Sequence, residues 1–435
     1  MSRQAMRLTH TVPALLLALL ALTQSGSSDA MPVFARKYNL SCSACHVAFP
    51  RLNAFGEQFI ANNLKLPNWK ESATRDVGDP LLVLPESVPL AIRAQAFVQS
   101  RNATAIDETS GTTTANASTD IQSPYLIKLL SSAPLSEHIT YYFYGIFAEK
   151  GGNGETLIED AWFRHDDVFG SGLDMMLGQY QLSDLMFPRE TRLTFQDFMA
   201  YRMAGITYDR GLQFGRAFGP LEVALGVANG NGVTSNFAIN SPGYQRADRI
   251  FDNDNSKSVY GRIGMEAGPV GLGVFALSGR QRSIALGNAG LDRGLRDTDK
   301  RVVGLDLSGN IDEKLFWFAQ SLWNRWDGFL DADPNKNYAW FGGFAGVDYI
   351  ANDRWAYSLL YNHADASDLK DTDTIYEGID MSSITLGASY YFMRNVKGVI
   401  EVNYDLLDKK DKTGTYWTGH LNQEHYVLLG FDAAF

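Results

Sequence analysis

From residue 88 onward the chain alternates apolar and polar residues with a period of two. Three stretches show the pattern most clearly, 90–99, 383–392 and 397–406. A period of two predicts β-strands. Strands of about ten residues with one apolar and one polar face are the building unit of an outer-membrane barrel. The pattern therefore predicts a mainly β protein whose strands are apolar on the outside and polar on the inside.

The connections between these strands alternate between short and long. Short turns are predicted at 267–269, 310–313, 351–354 and 394–395. Long polar loops are predicted at 101–122, 182–198, 230–255, 282–298, 326–337, 365–380 and 409–420. A transmembrane barrel with tight periplasmic turns and long outer loops produces this alternation. We predict an antiparallel transmembrane β-barrel of about 16 strands over residues 88–435, in the outer membrane of a Gram-negative bacterium.

Aromatic residues and the C-terminus support the same fold. Trp355, Tyr357 and Tyr361 share one face of a strand, and aromatic rings favour the membrane interface. The last strand, 427–435, ends in a terminal phenylalanine, Phe435, as barrel-closing strands do. Aromatic residues in the core of a soluble β-protein are the alternative interpretation.

The N-terminus has the features of an export signal. Arg3 and Arg7 precede an apolar run, 13–22, that is too short to span a bilayer. Small residues at 28–30 are typical of a cleavage site. We therefore predict a signal peptide over residues 1–30, with a membrane anchor as the alternative. Export also suits the cysteine content, since no other cysteine competes for the pair described next.

Both cysteines of the chain lie in one pentapeptide, Cys42-Ser43-Ala44-Cys45-His46. This spacing is the attachment signature of a c-type haem. Cys42 and Cys45 would bond to the haem vinyl groups, and His46 would be the proximal ligand of the iron. A redox-active dithiol and a plain disulfide are the alternatives. The motif predicts one covalent haem c in a small α-helical cytochrome domain, residues 31–87, with a short helix that follows the motif and packs behind the haem.

The sixth ligand of the iron cannot be read from the sequence. Residues 47–87 contain neither histidine nor methionine. Met31 precedes the motif. The predicted strands place three further residues on the inner face near the periplasmic rim: His138, Met176 and Met393. Each of these four is a candidate, although each is also a common type of wall or turn residue.

The chain resembles the fused outer-membrane cytochrome–porins, a group that includes iron-oxidising members. The resemblance rests on residues 34–38 running into 42–46 and on 50–56, and more loosely on 178–180 and 187–190. It implies that a haem-bearing plug sits in the barrel lumen or at its periplasmic side and that electrons cross the outer membrane. In iron-oxidising relatives the donor is extracellular Fe(II).

These features predict an electron conduit from an extracellular donor, with Fe(II) the best candidate, to a periplasmic carrier such as a cytochrome c. Acidic residues in the outer loops, from Asp327 to Asp333 and from Asp365 to Asp380, can concentrate cations. Two alternatives remain: a diffusion porin for small solutes with a haem-bearing plug or sensor, and a surface enzyme with an open haem site. The sequence shows no catalytic triad, phosphate loop or basic stripe for nucleic acid.

Overall fold

Sixteen antiparallel strands form a closed barrel in the computed structural model. The structure describes residues 33–66, 74–76, 78–81, 83–85, 89–106, 113–149, 157–230, 256–284, 293–369, 380–393, 395–406 and 425–435. The signal peptide predicted over residues 1–30 lies outside the described residues, as does the candidate ligand Met31.

Each barrel strand pairs with its neighbours in the chain. The strands are β5 (Leu90–Ile106), β6 (Thr113–Pro134), β7 (Ile139–Glu149), β8 (Leu157–His165), β9 (Asp174–Gln181), β10 (Tyr208–Phe218), β11 (Leu221–Ala228), β12 (Ser258–Ala267), β13 (Val270–Ile284), β14 (Arg293–Ile311), β15 (Leu315–Asp327), β16 (Asn337–Ile350), β17 (Trp355–Asp365), β18 (Met381–Met393), β19 (Val396–Asp405) and β20 (His425–Ala434). The predicted fold class and strand number are confirmed.

The first and last strands of the barrel close the sheet. β20 pairs antiparallel with β5, so that Phe431 lies opposite Ala96. At the end of this seam Ile92 and Phe435 exchange two backbone hydrogen bonds, of 2.6 and 2.8 Å. The C-terminal residue therefore completes the ladder, which leaves no open edge along these two strands.

The two faces of the wall differ as the alternation predicted. Apolar side chains such as Leu225, Val274 and Leu429 are exposed on the outer face, Leu429 to 59%. Polar side chains such as Gln99 and Asn362 are buried on the inner face. An apolar outer band with a polar interior is the pattern of a barrel whose wall contacts lipid.

The connections alternate in length around the barrel. Seven short ones join β6 to β7 and each following pair up to β18 and β19, and all lie at one end, together with the start of β5 and the end of β20. We call this the short-turn end. The loop predicted over 101–122 is wrong in its described part, because β5 continues to Ile106 and β6 begins at Thr113. Their polar residues form an extended hairpin instead of a loop.

The connection between β9 and β10, residues 182–207, turns into the lumen. We call it the luminal segment. It contains two short 3₁₀ turns and the helix Met199–Met203, of which all five residues are buried. Its apolar side chains form one core with inward residues of the wall; Phe198 stacks on Phe344 at 4.2 Å between ring centroids.

Polar contacts fix the luminal segment to several strands. The backbone amides of Phe195 and Gln196 donate to Glu401 on β19, and Asn362 on β17 donates to the carbonyl of Asp197. On the other side Lys300 of β14 donates to the carbonyl of Gly205. The segment therefore crosses the lumen and is held on more than one wall.

The residues before the barrel form a small, separate group of elements. α1 (Val33–Tyr38) is followed by a 3₁₀ turn (Cys42–Ala44), β1 (His46–Ala48), β2 (Arg51–Leu52) and α2 (Ala54–Ala61). β3 (Thr74–Asp76) pairs with β4 (Val83–Pro85). We call residues 33–66 the head. Among the described helices none is long and apolar enough to cross a bilayer.

Candidate functional site at the short-turn end of the barrel

The cysteine motif lies on a tight turn at the surface of the head. Cys42 begins the 3₁₀ turn, and the amide of Cys45 donates to the carbonyl of Cys42 at 3.2 Å. Asn53 binds this turn from the other side, because its side-chain amide donates to the carbonyl of Ala44 at 3.0 Å. Both cysteines are half-buried free thiols. The turn therefore holds both sulfur atoms on one short, hydrogen-bonded stretch.

The two thiols do not resemble an activated redox pair. Burial raises the pKa of the Cys42 thiol. Burial and the neighbouring Cys42 raise the pKa of Cys45 as well. A reactive dithiol normally has a lowered pKa, because the thiolate is the nucleophile. This environment weighs against the dithiol alternative.

The imidazole of His46 is fixed through one of its two nitrogen atoms. Nδ1 lies 3.1 Å from the carbonyl oxygen of Pro50, so it carries the proton and donates it. Nε2 is then the unprotonated nitrogen. Burial, the largest cause, lowers the pKa of His46 to about 4; the positive charges of Lys397 and Arg93 add to this, and hydrogen bonds to the Pro50 and Arg51 backbone oppose it. At neutral pH the imidazole is neutral, which is the form that binds a metal.

Helix α2 packs directly against the motif. A Cβ atom on Gly56 would lie 2.2 Å from the carbonyl oxygen of Cys45 and 3.0 Å from Cδ2 of Leu52. Only glycine allows this approach. Asn53 caps the helix by accepting from the amide of Gly56 at 2.9 Å. The short helix predicted after the motif is confirmed, and its packing behind a haem stays a prediction.

The apolar face of α2 is only partly covered. Phe59 is buried and contacts the rings of Phe34 and Tyr38 edge to face, at 5.2 and 5.6 Å. Phe55, next to Gly56, is 38% exposed, and Ile60 is 43% exposed. The head therefore keeps uncovered apolar surface close to the motif.

The head docks into the short-turn end of the barrel. Ala48 is buried in a cluster with Phe316, Ile350 and Ala356, which all lie within two residues of the short-turn ends of their strands. Leu193 of the luminal segment packs on the same cluster. The head and the luminal segment therefore meet inside the lumen.

Hydrogen bonds tie the head to opposite sides of the wall. Asn63, which is fully buried, donates to the carbonyl of His138 at 3.1 Å and accepts from Thr140 at 2.9 Å. Arg164 donates to the carbonyl of Ile60 at 2.9 Å. Across the barrel, Arg51 forms an ion pair with Asp348.

A third set of contacts surrounds Phe49, beside His46. Tyr391 and Lys397 both donate to the carbonyl of Phe49, at 2.8 and 2.7 Å. The guanidinium of Arg93 lies 5.2 Å from the centre of the Phe49 ring, and that ring contacts the imidazole of His46 at 5.2 Å. Wall residues from three strands therefore surround the backbone next to the motif.

The residues present fit a covalent c-type haem. The two thiols share one turn. The carbonyl of Pro50 binds Nδ1 of His46 and orients the ring, as is usual for metal-binding histidines, which makes Nε2 the unprotonated nitrogen. Phe55 offers apolar surface nearby. For an independent metal ion the structure gives no support, since no three or more His, Cys, Asp or Glu residues among those described form a metal-binding group.

The sixth-ligand candidates occupy three different places. His138 lies on a short turn, where its Nδ1 bonds Asp166 at 2.8 Å and its ring stacks on that of His165. Met176 packs against the luminal core from β9. Met393 ends β18 and is 45% exposed. The contacts of His46 in the described chain involve Pro50 and Phe49, and the three candidates stay predictions.

The acidic outer loops are only partly described. Asp327 accepts from Arg325 at 2.7 Å, and Asp331 pairs with Arg296 at 2.9 Å. Asp368 accepts from the backbone amide of Ala339. The remaining acidic positions from 371 to 377 lie outside the described residues. These carboxylates therefore help to fix the loops that carry them.

Sequence reasoning missed the wall residues that receive the head and the inward course of the luminal segment. The alternation places three charged residues on the inner face of strands whose outer face is apolar: Arg93, Lys397 and Asp432. This pattern indicates charges in the lumen but does not indicate which residues they contact. The luminal segment was predicted as an outer polar loop over 182–198. Its apolar content, for example Met186 and Phe198, is higher than a solvated loop needs.

Comparison with solved structures places the barrel among porin folds. An anion-selective porin from Comamonas acidovorans matches with a TM-score of 0.51 and 14% identity, over 80% of this chain and 99% of that chain. Salmonella typhi OmpF, in a complex with daunomycin, matches with a TM-score of 0.50 and 13% identity, over 80% and 97%. At such identities the likeness shows the fold alone: a porin-like barrel. Comparisons with protein-family models and with curated protein sequences gave no match.

Proposed function

We propose that this chain is an outer-membrane electron conduit, in which the head holds one c-type haem at the periplasmic mouth of the barrel. The observation that carries the proposal is the hydrogen bond from Nδ1 of His46 to the carbonyl of Pro50, on a turn with two free thiols and docked in the lumen. The apolar outer band supports placement in a bilayer. The short-turn end then faces the periplasm, as in outer-membrane barrels generally.

A bound haem would supply a one-electron redox centre. The protein's own contribution is positioning. Cys42 and Cys45 would hold the macrocycle, and His46 would present Nε2 to the iron in a fixed orientation. Arg51, Asn63 and the contacts of Phe49 keep this turn inside the barrel mouth.

The luminal segment supports a conduit over an open pore. Aromatic contacts connect the head to the core of this segment. The guanidinium of Arg51 in the head lies 5.3 Å from the centre of the Phe318 ring, and the centres of the Phe318 and Phe198 rings are 5.6 Å apart. Phe198 in turn stacks on Phe344. Packed side chains carry an electronic coupling better than a water-filled gap. They also take up space in the lumen that ions would otherwise use.

For the donor we propose extracellular Fe(II), on the strength of the acidic outer loops and of the resemblance to iron-oxidising cytochrome–porins. The electron balance is simple. One electron would leave extracellular Fe(II), which becomes Fe(III), and one electron would reach a periplasmic carrier such as a cytochrome c. A haem held by Cys42, Cys45 and His46 would supply the one-electron centre between them. No bond to a protein atom is made or broken in these steps.

A diffusion porin for small solutes is the second candidate. The shared fold with two porins favours it. Buried Tyr201 and Phe198 in the middle of the lumen oppose it. If this candidate is correct, the head is a plug or sensor, and solutes pass beside the luminal segment.

Purified full-length protein, produced in a host that attaches haem c, separates the two candidates. We expect a c-type haem spectrum, reduction of the haem by Fe(II), and near-silence in planar bilayers where OmpF conducts. A C42S/C45S variant should keep the barrel but lose the covalent haem. A large steady conductance, or a haem that stays oxidised with Fe(II) over a range of pH, would overturn the conduit.

A further inference from the structure

A cluster of wall charges lies against the backbone beside His46. Arg93 of β5 binds Asp432 of β20 with two hydrogen bonds, of 3.1 and 2.8 Å. Lys397 of β19 lies 3.7 Å from the same carboxylate and donates to the carbonyl of Phe49 at 2.7 Å. Arg93, Lys397 and Asp432 together carry one net positive charge, and Arg93 and Lys397, not Asp432, contact the head.

The cluster continues into the luminal segment and the neighbouring strands of the wall. Glu190 of the luminal segment lies 3.8 Å from Arg93 and 3.2 Å from Lys128. Lys128 is also paired with Glu159 at 2.7 Å. Glu190 and Glu159 add negative charge to this network, and the two members of it that contact Phe49, Arg93 and Lys397, are both positive.

We propose that Arg93 and Lys397 set the reduction potential of the haem, so that the barrel wall is part of the electronic environment of the iron. This inference rests on the proposed function, because it requires the haem on His46. Oxidation adds one positive charge at the iron. Nearby cations oppose that change, and in a buried site of low dielectric the interaction is much stronger than in water. Docking of the head in the barrel therefore raises the potential.

The contacts of Phe49 give the cations a fixed distance from the motif. Lys397 is held by Phe49 on one side and Asp432 on the other, and its side chain is only 4% exposed. Arg93 is held over the Phe49 ring by its two bonds to Asp432. Burial and charge pairing are among the means by which a protein tunes a haem potential. The bare head, without β5 and β19, has neither cation.

Asp432 makes the inference testable by the sign of the effect. Replacing Lys397 with methionine removes a positive charge from the site, and the K397R variant keeps it. Replacing Asp432 with asparagine removes the negative charge that offsets both cations. Structural damage would move the potential in the same direction in both the K397M and D432N variants, whereas an electrostatic effect moves it in opposite directions.

The experiment is a spectroelectrochemical titration of the full-length holoprotein in detergent micelles, with the absorbance spectrum as a check on haem ligation. We expect K397M to lower the midpoint potential by at least 59 mV, which corresponds to a tenfold change in the oxidised-to-reduced ratio of a one-electron couple. D432N should raise it, and K397R should stay near the parent value.

The matched control is K300M. Lys300 is likewise a buried luminal lysine, 3% exposed, but it binds the carbonyl of Gly205 in the luminal segment. Its replacement should leave the midpoint unchanged. Equal shifts in K397M and K300M, or shifts of one sign in K397M and D432N, overturn the inference and leave the proposed function standing. Parent protein that carries no covalent haem overturns the proposed function itself, and this inference with it.

Discussion

The contact between Gly56 and Cys45 makes a sharp prediction about the head. In an ordinary helix, replacing glycine with alanine stabilises the helical state by about 1 kcal/mol. At position 56 the new Cβ would lie 2.2 Å from a backbone oxygen, which cannot turn aside as a flexible side chain can. Overpacking of this kind costs about 1–3 kcal/mol, and we expect the upper end here because the obstacle is backbone.

The net effect of G56A is therefore a destabilisation of α2 by about 2 kcal/mol, or about a 30-fold increase in its opening constant. Amide hydrogen exchange of the peptide 53–62, measured on the full-length protein in micelles, reports this constant. The readout is valid with or without attached haem, since it follows backbone amides.

The A54G variant on the same helix is the control. Ala54 is exposed, and its replacement removes helix propensity without a new contact, so exchange should accelerate by only about 5-fold. Barrel peptides such as 315–327 should exchange equally in all three proteins. Slower exchange of 53–62 in G56A than in the parent would refute the reasoning, because it would mean that helix propensity outweighs the steric contact.

Three further predictions concern the lumen and the seam. Arg189 and Asp197 form an ion pair that is almost fully buried. Without Arg189 the carboxylate keeps the more distant partners Arg192 and Arg202, so R189M should lower the free energy of unfolding in urea by about 3–5 kcal/mol. The double variant R189M/D197N should recover most of that loss. Burial raises the pKa of Asp184 to about 7, so the folded protein keeps a proton there that the unfolded chain releases near its ordinary pKa of 3.8. Stability therefore falls as pH rises through that window, and D184N should melt above the parent at about pH 8 but with it at about pH 4, by circular dichroism. Deletion of Phe435 removes two backbone hydrogen bonds to Ile92, about 1 kcal/mol each, and should lower the temperature at which the barrel loses its folded mobility on gels, whereas F435L should not.

The wall of the barrel was predictable from the sequence because its signal is local. Each strand carries its own alternation, and the short turns at 267–269 and 351–354 lie where the pattern placed them. The CSACH pentapeptide is equally local. Its turn and the capped helix behind it depend on residues fewer than 20 positions apart.

The wall residues that bind the head were not predictable, because these contacts join residues far apart in the chain. Arg51 and Asp348 are separated by 297 positions, and Arg93 and Asp432 by 339. Such pairs follow from the register and closure of all sixteen strands, which no single segment encodes. The inward course of the luminal segment was not predictable for a related reason, because its apolar residues acquire a surface to pack against only when the barrel has formed.

The ion pair between Arg93 and Asp432 joins the first strand of the barrel to the last, and the head rests on it through Phe49. A barrel that had not yet closed would have no such resting place. Docking of the N-terminal head therefore depends on barrel closure, so an unclosed cylinder lacks part of the surface that holds Phe49. The two ends of the polypeptide are thereby linked, because the N-terminal head docks on a contact that exists only once the C-terminal strand has paired with β5.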